Sequence, residues 1–316
     1  MIVDIELGEP RARGALTLYP LVARGPAAPA YLSGPAAVAQ GAVSVSELDG
    51  GASVPQLEVL VTARIPVLLL EGETLVGAKQ NRTMNVSVLC PPGRTVVPVS
   101  CVEAGRWDTA APVTRSPRHA PPSLRHAKTA SVGASVRQGE GRQSDQQAVW
   151  NAVGGYAARF AAPAPTAALE DVYRHVDRDV QTMVADLRPA PGQHGVVVAV
   201  GGRAVALDVF DTPATLEAYW DGLLAGYALD AIGAAAATPA VDDVRRFVRA
   251  ATSAEGRETE AVGLGRELHL AGDGITGFAL RWTGAVVHLA AFATGNNTDA
   301  TPIHPTPPIR RQWFTR

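Results

Sequence analysis

Residues 66–107 read P-V-L-L-L-E-G-E-T-L-V-G-A-K-Q-N-R-T-M-N-V-S-V-L-C-P-P-G-R-T-V-V-P-V-S-C-V-E-A-G-R-W. Runs of Val and Leu are cut at short intervals by Gly, Pro and polar residues, the pattern of short antiparallel strands joined by turns. A dense polar string, Lys79-Gln80-Asn81-Arg82, stands in the middle. Of the 28 basic residues only two are lysines, Lys79 and Lys128, and two of the five asparagines are Asn81 and Asn85. Rare residue types gathered in one place mark this string as the first candidate for chemistry. If residues 80–88 are extended, Gln80, Arg82, Met84, Val86 and Val88 share one face. The apolar end of that face points into the core, which places Arg82 and Gln80 at the core's mouth. A bulge of one residue would exchange the faces.

Strands are also expected at 2–7, 14–24, 43–48 and 57–63, and the 66–107 stretch divides into 66–70, 73–77, 82–90 and 95–103. Pro20 inside the second strand predicts an edge strand or a bulge, because proline cannot donate to a ladder. Residues 25–41, rich in Pro, Ala and Gly, read as loop. Together these strands predict a sandwich or barrel-like lobe over residues 1–108. From 109 to 142 the composition shifts to five arginines, Lys128, His119 and His126 against one acid, Glu140. This segment reads as a basic, Pro/Ser-rich extended connection.

The second half changes period. Ser144-Asp145-Gln146-Gln147 has the form of a capping box opening a helix. A second helix, about 166–188, repeats Leu169, Val172, Tyr173, Val176, Val180, Met183, Val184 and Leu187. Gly201-Gly202 between two alternating runs predicts a hairpin. Thr212 or Asp211 caps a following helix with Pro213 in its first turn. A helix at 240–252 and strands at 260–270, 276–282 and 285–293 complete an α+β lobe over 143–293, followed by a Pro-rich tail, 294–316. Strands and helices segregate, so the fold class is α+β: an antiparallel β-rich lobe, a helical middle and a C-terminal β-meander with helices.

With 47% hydrophobic and 18% charged residues the chain has material for a core, and a formal net charge of −2 excludes a whole-surface nucleic-acid binder. Two cysteines, Cys90 and Cys101, do not make a disulfide scaffold. No apolar run reaches the length of a membrane span. The expected setting is soluble and cytoplasmic, with no membrane partner.

Several motifs resemble one family, the bacterial ADP-ribosylglycohydrolase- and rhodanese-phosphatase-associated protein domain. They are L-E-G-E-T-L-V-G-A-K-Q-N-R ending at Arg82, V-P-V-S-C-V-E-A-G-R-W ending at Trp107, and Gln146 to Trp150. The hairpin ending in Asp208-Val209-Phe210 and V-V-H-L-A-A-F around His288 also fit. The resemblance implies a role near NAD or ADP-ribose metabolism, with an ADP-ribose-like or other nucleotide-phosphate ligand, bound or hydrolysed. It carries no assigned catalytic residues.

The residues themselves supply the candidates. Arg82 can grip a phosphate bidentately, with Lys79 as a point charge and Gln80 and Asn81 as amide readers. Trp107 beside Arg106 offers a stacking face. Glu71, Glu73 and Glu103 are the acid–base candidates, and a divalent cation is the one cofactor they would suit. The histidines have no metal-ligand spacing, and no hydrolase elbow or Cys–His signature is readable. The competing reading is a non-enzymatic interaction module whose polar string is a buried network, its middle and tail open to protein partners. A basic 109–142 arm touching RNA is the third.

Overall fold

The computed structural model describes residues 2–48, 53–107 and 111–294. The chain opens with β1 (Asp4–Leu7), β2 (Arg11–Arg13) and β3 (Leu16–Arg24), then β4 (Leu32–Ser33) and helix α1 (Gly34–Ala39). Strands β5 (Val43–Ser46), β6 (Gln56–Val61), β7 (Val67–Leu69), β8 (Glu73–Ala78), β9 (Arg82–Met84), β10 (Val88–Cys90), β11 (Gly93–Cys101) and β12 (Ala111–His119) follow. Four helices come next: α2 (Pro122–Gln138), α3 (Gln146–Arg159), α4 (Leu169–His175) and α5 (Asp177–Val184). The hairpin of β13 (Gly195–Val200) and β14 (Arg203–Phe210) leads into α6 (Pro213–Ala231) and α7 (Val241–Ser253). The meander of β15 (Gly256–Glu260), β16 (Arg266–Gly272), β17 (Ile275–Trp282) and β18 (Ala285–Ala293) closes the described chain. The fold is α+β, as the sequence predicts.

Six strands in the order β12-β8-β9-β11-β6-β5 form one sheet, and its outer strands β12 and β5 approach each other, so it curls into a nearly closed barrel. A nine-stranded sheet runs β1-β3-β13-β14-β18-β17-β16-β15, with β2 added beside β3. The first three strands therefore pair into the sheet made by the second half of the chain. Strands β10, β7 and β4 form a small third sheet.

One core joins the barrel interior (Leu57, Leu75, Met84, Val97) to one face of the large sheet (Val196, Val198, Phe210, Phe292). On the opposite face Val197, Leu207 and Leu289 pack under Val244, Phe247 and Ala251 of α7. The third core lies among α3, α4, α5 and α6. Alternation along β13 decides which residue serves which core, since side chains of a strand point to opposite faces in turn.

Four local expectations are corrected. The predicted strand 82–90 is two strands, because β9 pairs with β8 and β11 in the barrel while β10 pairs with β7 in the small sheet. The chain changes sheet at Asn85–Ser87, where Ser87 Oγ accepts the Glu71 N–H at 2.8 Å. Residues 25–41 contain α1, capped by Ser33 with proline in its first turn. The basic 109–142 segment is not an extended connection: it is β12 followed by the buried helix α2. The predicted 166–188 helix breaks at Val176 into α4 and α5.

Pro20 is not on an edge strand, but the irregularity it predicts is there: Leu7 pairs with Leu21 and Arg11 with Leu18, so residues 8–10 face residues 19–20 with one residue in excess. Strand β3 has β13 on one side and β1 and β2 on the other. β2 pairs with residues 16–18 and β1 with residues 21–24, so Pro20 falls between the two ladders. Its carbonyl accepts the Gly8 N–H at 2.8 Å. The missing proline donor points to that same side, where no strand residue requires it. The Gly201-Gly202 hairpin forms as expected, with φ of 57° and 81° at its two glycines. Thr212 caps α6 through the Thr215 N–H at 3.2 Å, with Pro213 opening the helix. Asp145, not Ser144, caps α3, accepting from the Ala148 N–H at 3.0 Å. Ser144 Oγ is instead hydrogen-bonded to Ser100. The tail beyond Thr294 lies outside the described residues.

Candidate functional site

The barrel mouth is built by the β8–β9 turn and the chain leaving β11. Register pairs Arg82 with Leu75 on β8 and with Cys101 on β11, and pairs Met84 with Val99. Arg82, Met84, Leu75, Val99 and Cys101 thus share the inward face, with Arg82 nearest the mouth. The expected parity holds for Arg82 and Met84, but Gln80 lies in the turn before β9 and Val88 belongs to the small sheet.

Around Arg82 the polar string closes on itself. Asn81 donates its N–H to Glu103 Oε2 at 2.9 Å, and its Oδ1 accepts from Gly77 N–H at 3.0 Å and Arg106 Nη2 at 3.2 Å. Arg106 donates Nε to Glu103 Oε1 at 3.0 Å and Nη2 to Oε2 at 2.8 Å, and also reaches the carbonyls of Gly77 and Ala78. Thr166 adds a further donor to Glu103 at 2.8 Å. Burial works against the Glu103 charge, but Arg106, the Asn81 N–H and Thr166 outweigh it and hold the carboxyl below its ordinary value. Gln80 donates to the Ala104 carbonyl at 3.3 Å. Gln80, Asn81, Glu103 and Arg106 are therefore spent on one another and on the backbone.

Three groups at the mouth are not. Arg82 is fully buried, donating Nε to the Val54 carbonyl at 3.2 Å and Nη1 to the Gln80 carbonyl at 2.8 Å. Its Nη2 has no hydrogen-bond partner and no carboxylate pairs with it among the described residues. The Trp107 ring lies 5.9 Å from the Arg82 guanidinium carbon and 5.7 Å from Lys79 Nζ. Trp107 is 38% exposed, so one aromatic face at the mouth carries cations on its flank and meets solvent.

The other two acids lie elsewhere. Glu73 is buried, accepts the Leu70 N–H at 2.9 Å and pairs with Arg115. Glu71 is fully buried in a separate ionic cluster. Glu71, Glu73 and Glu103 do not converge, and no group of three or more His, Cys, Asp or Glu among the described residues is placed to hold a metal ion.

Sequence reasoning missed that cluster. Arg125, on α2, donates both Nη atoms to Asp208 at 2.7 and 3.0 Å and Nε to Glu71 at 2.8 Å. Lys128, one turn on, donates to Glu71 at 2.5 Å and to the carbonyls of Met84 and Asn85 at 2.6 and 3.2 Å. Tyr227 donates to Asp208 at 2.6 Å. Two cations thus face two carboxylates, all fully buried. Burial opposes the charge on Asp208, yet Arg125 and His288 hold its carboxyl far below the usual range. Burial likewise opposes the Arg125 charge, and Asp208 and Glu71 overcome it. Burial lowers the Lys128 pKa, with Glu71 pulling the other way.

The same cluster contains a Ser-His-Asp relay. Ser87 Oγ lies 2.8 Å from His288 Nδ1, and His288 Nε2 lies 3.1 Å from Asp208. Ser87 Oγ also accepts the Glu71 N–H, so the hydroxyl and the ring together link the Glu71 backbone to the Asp208 carboxylate. The residue types are those of acyl transfer, but all three are buried, Asp208 is already filled by Arg125 and Tyr227, and Phe210 stacks 4.9 Å over the ring. What the relay does here is orient a core histidine between two sheets. Four surface grooves of 290, 440, 290 and 330 Å³ are lined by none of Ser87, His288 and Asp208 and by none of the mouth residues, although Phe210 lines the first.

Both cysteines are free and buried, and burial pushes the Cys90 thiol up to about 12. No described helix is long and apolar enough to cross a membrane.

A barrel packed on a large antiparallel sheet, with cations gathered at the barrel mouth, defines the protein by architecture. By sequence, residues 4–292 match the model of the ARG and Rhodanese-Phosphatase-superfamily-associated Protein domain, ARPP-1, and the chain belongs to that family. No curated protein and no solved structure matches it.

Proposed function

We propose that the protein binds an ADP-ribose-like or other nucleotide-phosphate ligand at the barrel mouth. One observation carries the reading: the fully buried Arg82 has no carboxylate partner and an unused Nη2 beside the Trp107 ring. A buried charge without its counter-charge is costly, and an unpaired buried donor asks for an acceptor. The guanidinium fork suits phosphate, Lys79 adds a second cation, and Trp107 offers a face to a base. The family's name, which associates it with ARG and rhodanese-phosphatase proteins, agrees with such a ligand.

The reading is of binding and not of hydrolysis. Glu71, Glu73 and Glu103 are each buried and engaged by arginine or lysine, which leaves none of them poised as a general base. The buried-network reading accounts for Gln80, Asn81, Glu103 and Arg106, which hold the mouth in shape, but not for Arg82.

The test is the melting temperature of the full chain against ADP-ribose, NAD and simple nucleotides, with and without Mg²⁺. A ligand at about 100 times its Kd adds about 2.7 kcal/mol, a shift of several degrees. The shift is expected with one ligand class and should vanish in Arg82→Gln, with Trp107→Leu weakening it. No shift with any of them, or an equal shift in Arg82→Gln, overturns the proposal.

A further inference from the structure

The mouth holds a second unused polar atom. Glu47, just past β5, accepts the backbone N–H of Lys79 through Oε1 at 3.0 Å. Its Oε2 is buried and takes no hydrogen bond among the described residues. Glu47 is tied to Lys79, and Arg82 to the carbonyl of the next residue, Gln80. Both charges also act on the Cys101 thiol, Arg82 lowering its pKa and Glu47 raising it, while burial raises it most. An unused acceptor and an unused donor thus belong to the same mouth.

A bare phosphate suits only one of them well. It would accept from Arg82, but it sets its own negative charge directly against the Glu47 carboxylate, a like charge that its remaining P–OH does not remove. Oε2 calls for a hydroxyl or an N–H. A ribose phosphate has both features in one small molecule, an anion for the guanidinium and hydroxyls for the carboxylate. Carboxylates recur as readers of ribose hydroxyls in nucleotide-binding proteins on other folds.

We infer that Glu47 determines specificity in this site: its Oε2 accepts from a ribose hydroxyl while Arg82 holds the phosphate. The site therefore takes ribose phosphates in preference to bare phosphate. This rests on the reading of the mouth as a nucleotide-phosphate site, and it adds the part of the ligand that reading leaves open.

Titration calorimetry of the full chain with ribose 5-phosphate, 2-deoxyribose 5-phosphate and inorganic phosphate separates the two claims. Glu47→Gln keeps an oxygen for Lys79 and turns Oε2 into an NH₂ group of nearly the same shape. One hydrogen bond to a charged group corresponds to about ten- to hundred-fold in affinity. The wild type should prefer ribose 5-phosphate over phosphate by about that factor. Glu47→Gln should lose the preference while binding phosphate at least as well, and Arg82→Gln should lose both ligands. If Glu47→Gln keeps the preference while Arg82→Gln loses binding, the Glu47 assignment is wrong and the Arg82 site stands. If the wild type binds none of the sugar phosphates, both fall. Should Glu47→Gln fail to fold, the wild type alone decides: ribose 5-phosphate bound no more tightly than inorganic phosphate contradicts the Glu47 assignment, and the deoxy sugar shows whether the 2-hydroxyl is the one read.

Discussion

Arg82 and Arg125 are both fully buried arginines, and they differ in what faces them. Arg125 meets two carboxylates with three of its nitrogens, whereas Arg82 meets two backbone carbonyls and an aromatic ring. The first arrangement is closed by opposite charge, whereas the second leaves Nη2 without an acceptor. Removing one member of a buried ionic group leaves the other charges uncompensated, at a cost of about 3–5 kcal/mol. Arg125→Met should therefore lower unfolding stability by about that amount in a urea titration. A change under about 1 kcal/mol would mean that the cluster is not holding the structure as described. The rare lysines were a fair signal for both places. Lys79 stands in a polar string that reads as a site, whereas Lys128 stands in a charged segment, which by itself suggests solvent. Pairing of Arg125 and Lys128 with Glu71 and Asp208 depends on contacts up to 83 residues away, and no local pattern states it.

Helix α2 shows where the sequence was legible and where it was not. Its start has Pro121-Pro122 and its end has Gly139 at φ 81°, the ordinary punctuation of a helix. Inside, Leu124, Arg125, Lys128, Val132, Ser135 and Val136 recur at helical spacing and are buried. The polar members of that stripe hid it from a search for apolar period. By contrast β8, β9, β11, the β13–β14 hairpin and α6 were readable because apolar alternation, a Gly-Gly turn and a Thr-Pro start each act over a few residues. The switch at Asn85–Ser87 was not readable, since a strand leaving one sheet for another keeps its extended backbone. If α2 is a buried helix and not a linker, hydrogen exchange should protect its amides between Leu124 and Val136 about as strongly as those of β13. Exchange at the rate of an unstructured segment would contradict the fold.

On the scale of the whole molecule, the ionic cluster lies where the barrel's Glu71, the large sheet's Asp208 and His288, and helix α2 meet. Its charges make stability depend on pH in one direction. His119, buried beside Arg125 and Arg115, has a pKa well below its ordinary 6.5. Below 6.5 the unfolded chain takes up a proton there that the folded chain refuses, so stability falls as pH drops. Asp208 and Glu103 are depressed from 3.8 and 4.5, and each contributes stability above those values that is lost as pH falls below them toward the folded values. The melting temperature should accordingly decline from pH 7 toward acid, first through the histidine range and again below the carboxylate range. His119→Gln should flatten the first decline. A melting temperature that rises on acidification would contradict the burial of these groups as neutral histidine and charged carboxylates.

The claim on which the functional account turns is that the barrel mouth is an anion site centred on Arg82. A crystal structure grown with saturating ADP-ribose tests it most directly. A phosphate oxygen should lie about 2.8 Å from Arg82 Nη2, with Trp107 against the ligand. A ligand bound elsewhere, or a mouth in which Arg82 Nη2 meets only water while ADP-ribose is in excess, would contradict it.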